Sequence, residues 1–325
     1  MRARPSTRRP PRPPVPAEPQ GRIGVLVMAY GTPAGPDDVE RYYTHIRHGR
    51  PPAPELLTEL QDRYAAIGGI SPLLATTRAQ TAGIGEALDA AEPGRFVVAL
   101  GQKHSAPFIE DGVRDLLELG VERIVGLVLA PHYSTMSVAQ YAARAVEAAG
   151  GSVPVSVIES WHLNPGYLAL LSGSVRDAVA QVGGADGCEV LFTAHSLPQR
   201  ILEHGDPYPD QLAETAAALA AAAAVPRWSV AWQSAGRTAD PWIGPDVLDV
   251  LRERAAEGAR AIVVCSCGFV ADHLEVLYDL DIEAAGVAQQ LGLAFARTAS
   301  PNAAPEFTAA LAGVVRDHVH AEAAG

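Results

Sequence analysis

The feature that most constrains the fold is a regular alternation of short apolar runs with longer segments rich in alanine, leucine and glutamate. Eight such runs follow one another from residue 21 onward, and most are β-branched and almost continuously apolar. Strands of a parallel sheet that is covered on both faces have this composition, and the segments between them are typical of helices. The alternation therefore predicts a doubly wound α/β fold. The predicted strands are 23–29, 95–101, 123–130, 153–159, 188–194, 228–234, 261–267 and 294–299.

The predicted strands fall into two similar sets of four. VLVMAYGTP (25–33) aligns without gaps with VLFTAHSLP (190–198), and Val, Leu, Ala and Pro recur at matching places. We therefore predict an α/β protein with two similar Rossmann-like domains, each with a four-stranded parallel sheet flanked by helices. The expected segments are a disordered Arg/Pro-rich tail at 1–20, a first domain at 21–170, a second domain at 171–315 and a tail at 316–325.

Composition excludes several classes of function. A formal net charge of -12 argues against nucleic-acid binding, which depends on clustered Lys and Arg. Three cysteines are too few for a disulfide framework and favour a reducing compartment. No stretch approaches the roughly 18 apolar residues of a membrane helix, and the first twenty residues, with five Arg and seven Pro, lack the apolar region of a secretory signal. We expect a cytoplasmic protein without an integral membrane segment.

Polar side chains follow the predicted strands, where ligands bind in open parallel sheets. Tyr30 and His195 occupy equivalent places after the first strand of each set, and Lys103 and His104 follow the second strand of the first set. Ser234 closes the matching strand of the second set. A histidine such as His195 is often structural, so its position leaves a structural and a catalytic interpretation open.

Three carboxylates recur at four-residue spacing in DHLEVLYDLDIEAAG (272–286). In a helix, Glu275, Asp279 and Glu283 would lie along one face with modest drift. One interpretation is a solvated helix face. The alternative is a path for a cation, because the surrounding residues are apolar and oxygen ligands suit a hard or borderline cation.

The segment from 42 to 74 combines Arg47, Arg50 and Arg63 with a Gly-Gly-Ile-Ser-Pro turn. Arginine is suited to bidentate recognition of carboxylates. The segment is either a surface helix with its loop or a lid that holds an anionic ligand.

The cysteines Cys188, Cys265 and Cys267 cannot complete a four-thiolate cluster, so we interpret them as small buried hydrophobic residues. The sequence also contains no phosphate-binding glycine loop of the required spacing and no HExxH.

Eight segments, in order, resemble motifs of the ferrochelatase family and together cover about 20 to 315. The closest resemblance is to the soluble ferrochelatases of Gram-positive bacteria, which insert Fe²⁺ into coproporphyrin III. The resemblance implies two Rossmann-like domains with the porphyrin between them, and a monomer. The segments are VMAYGTP, YYTHIRHGRPP, RYAAIGGISPL, KHSAPFIED, APHYSTMSV, TAHSLP, WQSAGRTADPWIGPDV and GFVADHLEVLYDLDIE.

The resemblance also implies roles for individual residues. His195 and Glu275 match the catalytic histidine and its acidic partner, and Tyr30 matches the tyrosine on the opposite face of the macrocycle. Asp279 and Glu283 match outer acids on a metal route, so the four expected metal-binding residues are His195, Glu275, Asp279 and Glu283. The expected porphyrin-binding residues are Arg47, Arg63, Ser71 and Tyr133 for propionates, and Lys103, His104, Ser234 and Trp242 elsewhere in the cleft.

Two departures and several alternatives accompany the resemblance. His48 stands where close relatives often have a second arginine, and no cysteine follows Cys267, so no [2Fe-2S] cluster and no permanent cofactor are expected. Fe²⁺ is expected as a substrate, and contacts with neighbouring haem-pathway enzymes as transient. The alternatives are a protoporphyrin IX ferrochelatase, a cobalt or nickel chelatase of the same fold, and a module that only binds metal chelates.

The chemistry of metallation explains why these groups are expected. Two pyrrole protons must be removed, and a histidine with a pKa near neutrality can accept a proton at working pH. A nearby carboxylate can carry the proton onward and attract the cation. Bending the ring requires contacts on both faces and anchored edges.

Overall fold

The chain forms two four-stranded sheets in which every pairing is parallel. This computed structural model describes residues 21–236, 238 and 240–324. The strands are β1 Ile23–Ala29, β2 Phe96–Gln102, β3 Arg123–Val128, β4 Val155–Ile158, β5 Cys188–His195, β6 Trp228–Gln233, β7 Ala261–Cys265 and β8 Ala294–Arg297. Their orders, β2-β1-β3-β4 and β6-β5-β7-β8, are the same in both sheets. The predicted eight strands and the two similar halves are confirmed.

Helices cover the sheets and connect successive strands. Side chains cap some of the helix starts: Asn164 accepts a hydrogen bond of 3.1 Å from the Tyr167 N–H, and Asp246 accepts one of 2.8 Å from the Leu248 N–H. Short 3₁₀-helices span Pro36–Asp38 and Gln199–His204. The α-helices are α1 Val39–Ile46, α2 Pro54–Ala66, α3 Leu73–Ala91, α4 Ile109–Glu118, α5 Val138–Ala149, α6 Pro165–Gln181, α7 Tyr208–Ala223, α8 Val247–Ala256, α9 Leu274–Leu277, α10 Ala285–Gln290 and α11 Pro305–Ala324.

The two halves share one apolar core. Val27 of β1 and Phe192 of β5 belong to the same cluster of buried side chains, together with Leu171 of α6 and Phe307 of α11. Smaller clusters cover the outer face of each sheet. The halves therefore resemble each other in topology, and the largest apolar cluster is common to both.

The expected end of the second domain and the tail at 316–325 are wrong. The last helix continues from Pro305 to Ala324, and Val315 and Val319 are fully buried. This helix packs against α3 and α6, so it returns to the first half of the chain. The apolar spacing of four residues continues past 315 and keeps one helix face in the shared core.

The expected boundary at 170/171 falls inside α6, which runs from Pro165 to Gln181. The expected tail at 1–20 lies outside the described residues. In the part of the chain that is described, no helix combines the length and the apolar character needed to cross a membrane.

The three cysteines are buried free thiols, as expected for small hydrophobic residues.

Candidate active site

A cleft of about 930 Å³ lies at the carboxyl ends of both sheets. Residues that follow β1, β2 and β3 form one wall, and residues that follow β5, β6 and β7 form the other. Eleven of the thirteen side chains singled out from the sequence line it, namely Tyr30, Arg63, Ser71, Lys103, His104, His195, Ser234, Trp242, Glu275, Asp279 and Glu283.

Arg47 and Tyr133 are not among the residues that line the cleft in this structure, and their predicted contacts with propionates stay predictions. The Arg47 guanidinium lies 5.7 Å from the centre of the Tyr43 ring, and its buried Nε has no hydrogen-bond partner among the described residues. His48, next along the chain, lines the cleft instead. The backbone N–H of Tyr133 donates to Gln211 Oε1 at 2.7 Å, which ties this residue to α7.

His195 and Glu275 form the centre of the site. His195 ends β5, and Glu275 lies in the first turn of α9, so two separate elements bring them together. His195 Nε2 is 3.5 Å from Glu275 Oε1, and about a third of each side chain is exposed to the cleft (32% for both). The hydroxyl of Tyr208 donates to the His195 carbonyl at 3.0 Å and fixes the backbone behind the imidazole.

His195 and Glu275 shift each other's pKa. Burial lowers the pKa of His195, but the charge and hydrogen bond of Glu275 outweigh burial and raise it to about 9. Burial likewise raises the pKa of Glu275, but His195 and then His273 outweigh it and hold that pKa well below its usual range. At neutral pH the pair is an imidazolium and a carboxylate. Proton acceptance from a pyrrole requires a neutral imidazole, whereas the proximity of Glu275 favours the protonated form of His195.

The three acids lie on a helical segment that changes its winding. Residues Asp279–Ala284 form a π-helix between α9 and α10. Four residues of α-helix turn through about 400°, which overshoots a full turn by about 40°. A turn of π-helix holds more residues, so the four residues from Asp279 to Glu283 rotate through less than a full turn. This offsets the excess rotation between Glu275 and Asp279 and brings the three acids closer to one face. The predicted single face of acids is confirmed, although the uniform helix is not.

Arg63 and Ser234 hold the middle acid. Arg63 Nη2 lies 3.2 Å from Asp279 Oδ1 and 3.2 Å from Glu283 Oε2, and the Ser234 hydroxyl donates to Asp279 Oδ2. Burial raises the pKa of Asp279 to about 6, against the lowering effect of Ser234 and Arg63. In this structure Arg63 neutralises two acids, and its predicted contact with a propionate stays a prediction.

Tyr30 lies on the opposite wall beside His104, with 4.6 Å between the ring centres. Enclosure by the cleft, and then the charge of Glu275, raise the pKa of Tyr30, so it is a neutral phenol. Burial and the neighbouring Lys103 lower the pKa of His104 to about 3. Burial, then Arg144, lower the pKa of Lys103 to about 8. This wall presents neutral rings with one ammonium group beside them.

Two further predicted residues have local partners. The Ser71 hydroxyl accepts a hydrogen bond of 3.2 Å from the Leu73 N–H at the start of α3. The Trp242 indole donates to Thr238 Oγ1 at 2.9 Å, and its ring centre is 6.3 Å from that of His195.

Sequence reasoning missed two residues of the site. His273 Nε2 lies 3.6 Å from Glu275 Oε2, and Gln233 Nε2 donates to the Glu275 carbonyl at 2.9 Å. Gln233 was detectable as a polar residue at the end of an apolar strand. The contact of His273 was not, because it depends on an extended backbone (φ -158°, ψ -178°) immediately before α9.

The four predicted metal-binding residues form a row and not a cage. Among the described residues, no three His, Cys, Asp or Glu side chains converge closely enough to hold a metal ion. A row of this kind suits a cation in transit better than a resident ion.

Most of the chain matches a known protein family. A family model described as Ferrochelatase matches residues 22–319. The chain belongs to the ferrochelatase family. Among curated relatives, this ferrochelatase is 46% identical over 306 residues to the coproporphyrin III ferrochelatase of Anoxybacillus flavithermus, covering 92% of this chain and 97% of that one. It is also 46% identical to the coproporphyrin III ferrochelatase of Bacillus subtilis, covering 90% and 97%.

Solved structures also share the fold of this chain. One is titled "SirB from Bacillus subtilis with Fe3+", with a TM-score of 0.55, 12% identity and coverage of 91% of this ferrochelatase and 95% of that chain. Another is CbiX, titled as the terminal enzyme of sirohaem biosynthesis in denitrifying bacteria, with a TM-score of 0.55, 14% identity and coverage of 90% and 98%. At such low identity, these structures support the two-domain fold alone.

Proposed function

We propose that this ferrochelatase inserts Fe²⁺ into coproporphyrin III and yields coprohaem III for haem biosynthesis. The observation that carries the proposal is the His195–Glu275 pair on one wall of a cleft whose other wall presents Tyr30. The volume of about 930 Å³ is at the upper end of ordinary ligand pockets, as a macrocycle requires. A row of acids leads away from the pair.

Coproporphyrin III is favoured over other porphyrins by relatives and by charge. Curated relatives at 44–47% identity are named coproporphyrin III ferrochelatases. Coproporphyrin carries more carboxylates than protoporphyrin IX, and the ammonium group of Lys103 in the cleft hydrogen-bonds to Gln140 and to no described carboxylate, so it can pair with a propionate.

The protonation of the pair suggests an order of events. An imidazolium at His195 cannot accept a pyrrole proton. A divalent cation near Glu275 would lower the pKa of His195 by repulsion, so an arriving Fe²⁺ would drive its proton off to solvent through the open cleft, where about a third of the side chain is exposed (32%). The neutral imidazole could then accept one proton from the ring.

The second pyrrole proton needs another acceptor. Glu275 is an ionised carboxylate beside His195, and Asp279 has a pKa of about 6. A group with a pKa near the working pH can accept and release protons readily, so Asp279 suits the onward transfer. The net reaction exchanges two protons for one Fe²⁺ and leaves the charge of the porphyrin–metal unit unchanged.

The substrate is tested by anaerobic iron insertion with coproporphyrin III and protoporphyrin IX side by side, followed by the shift of the Soret band. We expect multiple turnovers with coproporphyrin III at a higher kcat/KM. Preference for protoporphyrin IX would overturn the substrate, and binding of either porphyrin without turnover would favour a binding module.

The proposal also includes a monomer that acts in the cytoplasm without a permanently bound cofactor and makes transient contacts with neighbouring pathway enzymes. It rests on the family resemblance of the sequence.

A further inference from the structure

The carboxyl end of β6 contacts two of the three acids through consecutive residues. Gln233, the last residue of the strand, donates from Nε2 to the carbonyl oxygen of Glu275 at 2.9 Å. Ser234, the next residue, donates from its hydroxyl to Asp279 Oδ2. One short stretch of backbone thus fixes two points of the acidic segment, four residues apart.

Gln233 connects this anchor to the strand of the catalytic histidine. Its side chain is buried, with 1% exposed, and its Oε1 accepts a hydrogen bond of 2.8 Å from Thr193 on β5. Its backbone carbonyl accepts from the Ser196 N–H at 2.8 Å. Gln233 is therefore bonded on one side to residues that flank His195 and on the other to the backbone of Glu275.

Ser234 has a left-handed backbone conformation, which is unfavourable for a residue other than glycine. Its φ is +60°, in the left-handed region that favours glycine. A non-glycine residue held there is strained, and the strain persists only where the surroundings impose it. Glycine would relieve this strain but would lack the hydroxyl that reaches Asp279.

The other oxygen of Asp279 faces Arg63. Asp279 Oδ1 is buried, lies 3.2 Å from Arg63 Nη2, and makes no hydrogen bond with any described residue. A cation that displaces the guanidinium would therefore meet an oxygen whose lone pairs are not engaged in a hydrogen bond.

We propose that Gln233 and Ser234 are positioning residues that hold Glu275 and Asp279 in register for Fe²⁺, and that Ser234 acts on the metal and not on the porphyrin. This inference rests on the proposed function and changes the role expected for Ser234 from the sequence.

A matched pair of variants separates this role from simple stabilisation. Ser234→Gly removes the hydroxyl and relieves the backbone strain, whereas Ser234→Ala removes the hydroxyl and keeps the strain. We expect both to raise the KM for Fe²⁺ about tenfold, as for the loss of a hydrogen bond to a charged group, and to leave the KM for coproporphyrin III unchanged. Ser234→Gly should melt at a higher temperature than Ser234→Ala.

The experiment measures both KM values under anaerobic conditions, with the melting temperature of each variant. If Ser234→Gly has the wild-type KM for iron while Ser234→Ala does not, Ser234 is only structural and the inference fails. A rise in the porphyrin KM alone would make Ser234 a porphyrin contact and would also overturn it. Wild-type enzyme without any iron insertion would instead refute the proposed function.

Gln233→Met, which keeps the length of the side chain but cannot donate to Glu275, provides an independent variant. It should raise the KM for iron with little change in the KM for the porphyrin. An unchanged KM for iron would show that Gln233 does not position Glu275 for the metal.

Discussion

Glu275 lies close to two histidines, and its contact with His195 makes the stability of the fold depend on pH. Its oxygens lie 3.5 Å from His195 Nε2 and 3.6 Å from His273 Nε2. The pKa of His195 is about 9 in the folded protein and about 6.5 in an unfolded chain. A raised pKa stabilises the fold fully below the unfolded value, and this contribution is lost as the pH rises through the folded value.

The first prediction concerns this linkage. The difference in unfolding free energy between wild type and His195→Gln should decrease from pH 6.5 to above pH 9, because only wild type carries the linked proton. Urea unfolding at pH 6.5, 8 and 9.5 measures the difference. A difference that stays constant over this range would show that His195 does not titrate as described.

The second prediction concerns Arg63, which lowers the pKa of Asp279 below the value that burial alone would impose. Arg63→Ala should raise that pKa, so the acidic limb of the pH profile for the iron KM should move to higher pH. Arg63→Lys, which keeps the charge, should move it less. Identical profiles for wild type and Arg63→Ala would contradict the pairing of Arg63 with the acids.

Residue types and their places along the chain were more predictable than their partners. Tyr30 and His195 were identified because the ends of the strands can be predicted from the apolar runs in the sequence. The association of Arg63 with Asp279 was not predictable, since 216 positions separate them along the chain and only the tertiary fold brings them together. The bond from the Tyr133 N–H to Gln211 was equally unpredictable, because the two residues are 78 positions apart.

At the scale of elements, the acidic segment is held at both ends by Arg297 of β8. Its Nε and Nη2 lie 2.7 and 2.9 Å from the two oxygens of Asp281 in the π-helix, and its Nη1 lies 3.1 Å from Asp272 before α9. Only 14% of the Arg297 side chain is exposed. Its removal would leave the half-buried Asp272 and the more exposed Asp281 without their counter-charge.

The third prediction follows from this clamp. Arg297→Met should destabilise the protein by about 1–2 kcal/mol, between the effects of an exposed and a buried ion pair, because Arg297 is buried but its partners are partly exposed. The matched control is Arg252→Met on α8, whose pair with Asp249 is largely exposed and should contribute less than about 0.5 kcal/mol. Denaturant unfolding measures both. Equal small effects would show that the clamp does not hold the segment.

The strands were predictable to within a few residues because an apolar run bounded by polar residues has few alternatives. The π-helix was not predictable, because the spacing of apolar residues does not show where a helical turn holds an extra residue. The segment around Leu280 has an ordinary helical composition, and its winding is seen only in the backbone, where the Glu283 N–H donates to the Tyr278 carbonyl five residues earlier at 3.0 Å.

At the scale of the whole molecule, one core holds the two sheets together. Phe307 of α11 is fully buried and packs with Trp161 and Tyr167, with ring centres 6.0 and 6.2 Å away. The same cluster includes residues of β1 and β5. The repeat in the sequence predicted two similar halves, but a repeat does not reveal whether they share a core.

The fourth prediction tests the shared core. Phe307→Ala should cost about 3–5 kcal/mol. Unfolding should remain a single transition, with probes in both halves shifted together. Leu291→Ala, at a position that is 39% exposed, is the control and should have a small effect. Two separate transitions, of which only one moves, would show that the halves fold independently.

The most direct test of the account is single-turnover metallation by His195→Ala under anaerobic conditions, with porphyrin binding measured in parallel. We predict iron insertion at least about 100-fold slower than in wild type, with the Kd for coproporphyrin III nearly unchanged. His204→Ala, which removes an exposed histidine at the end of a 3₁₀-helix, should insert iron at the wild-type rate. Insertion by His195→Ala at a rate close to that of wild type would contradict the central claim.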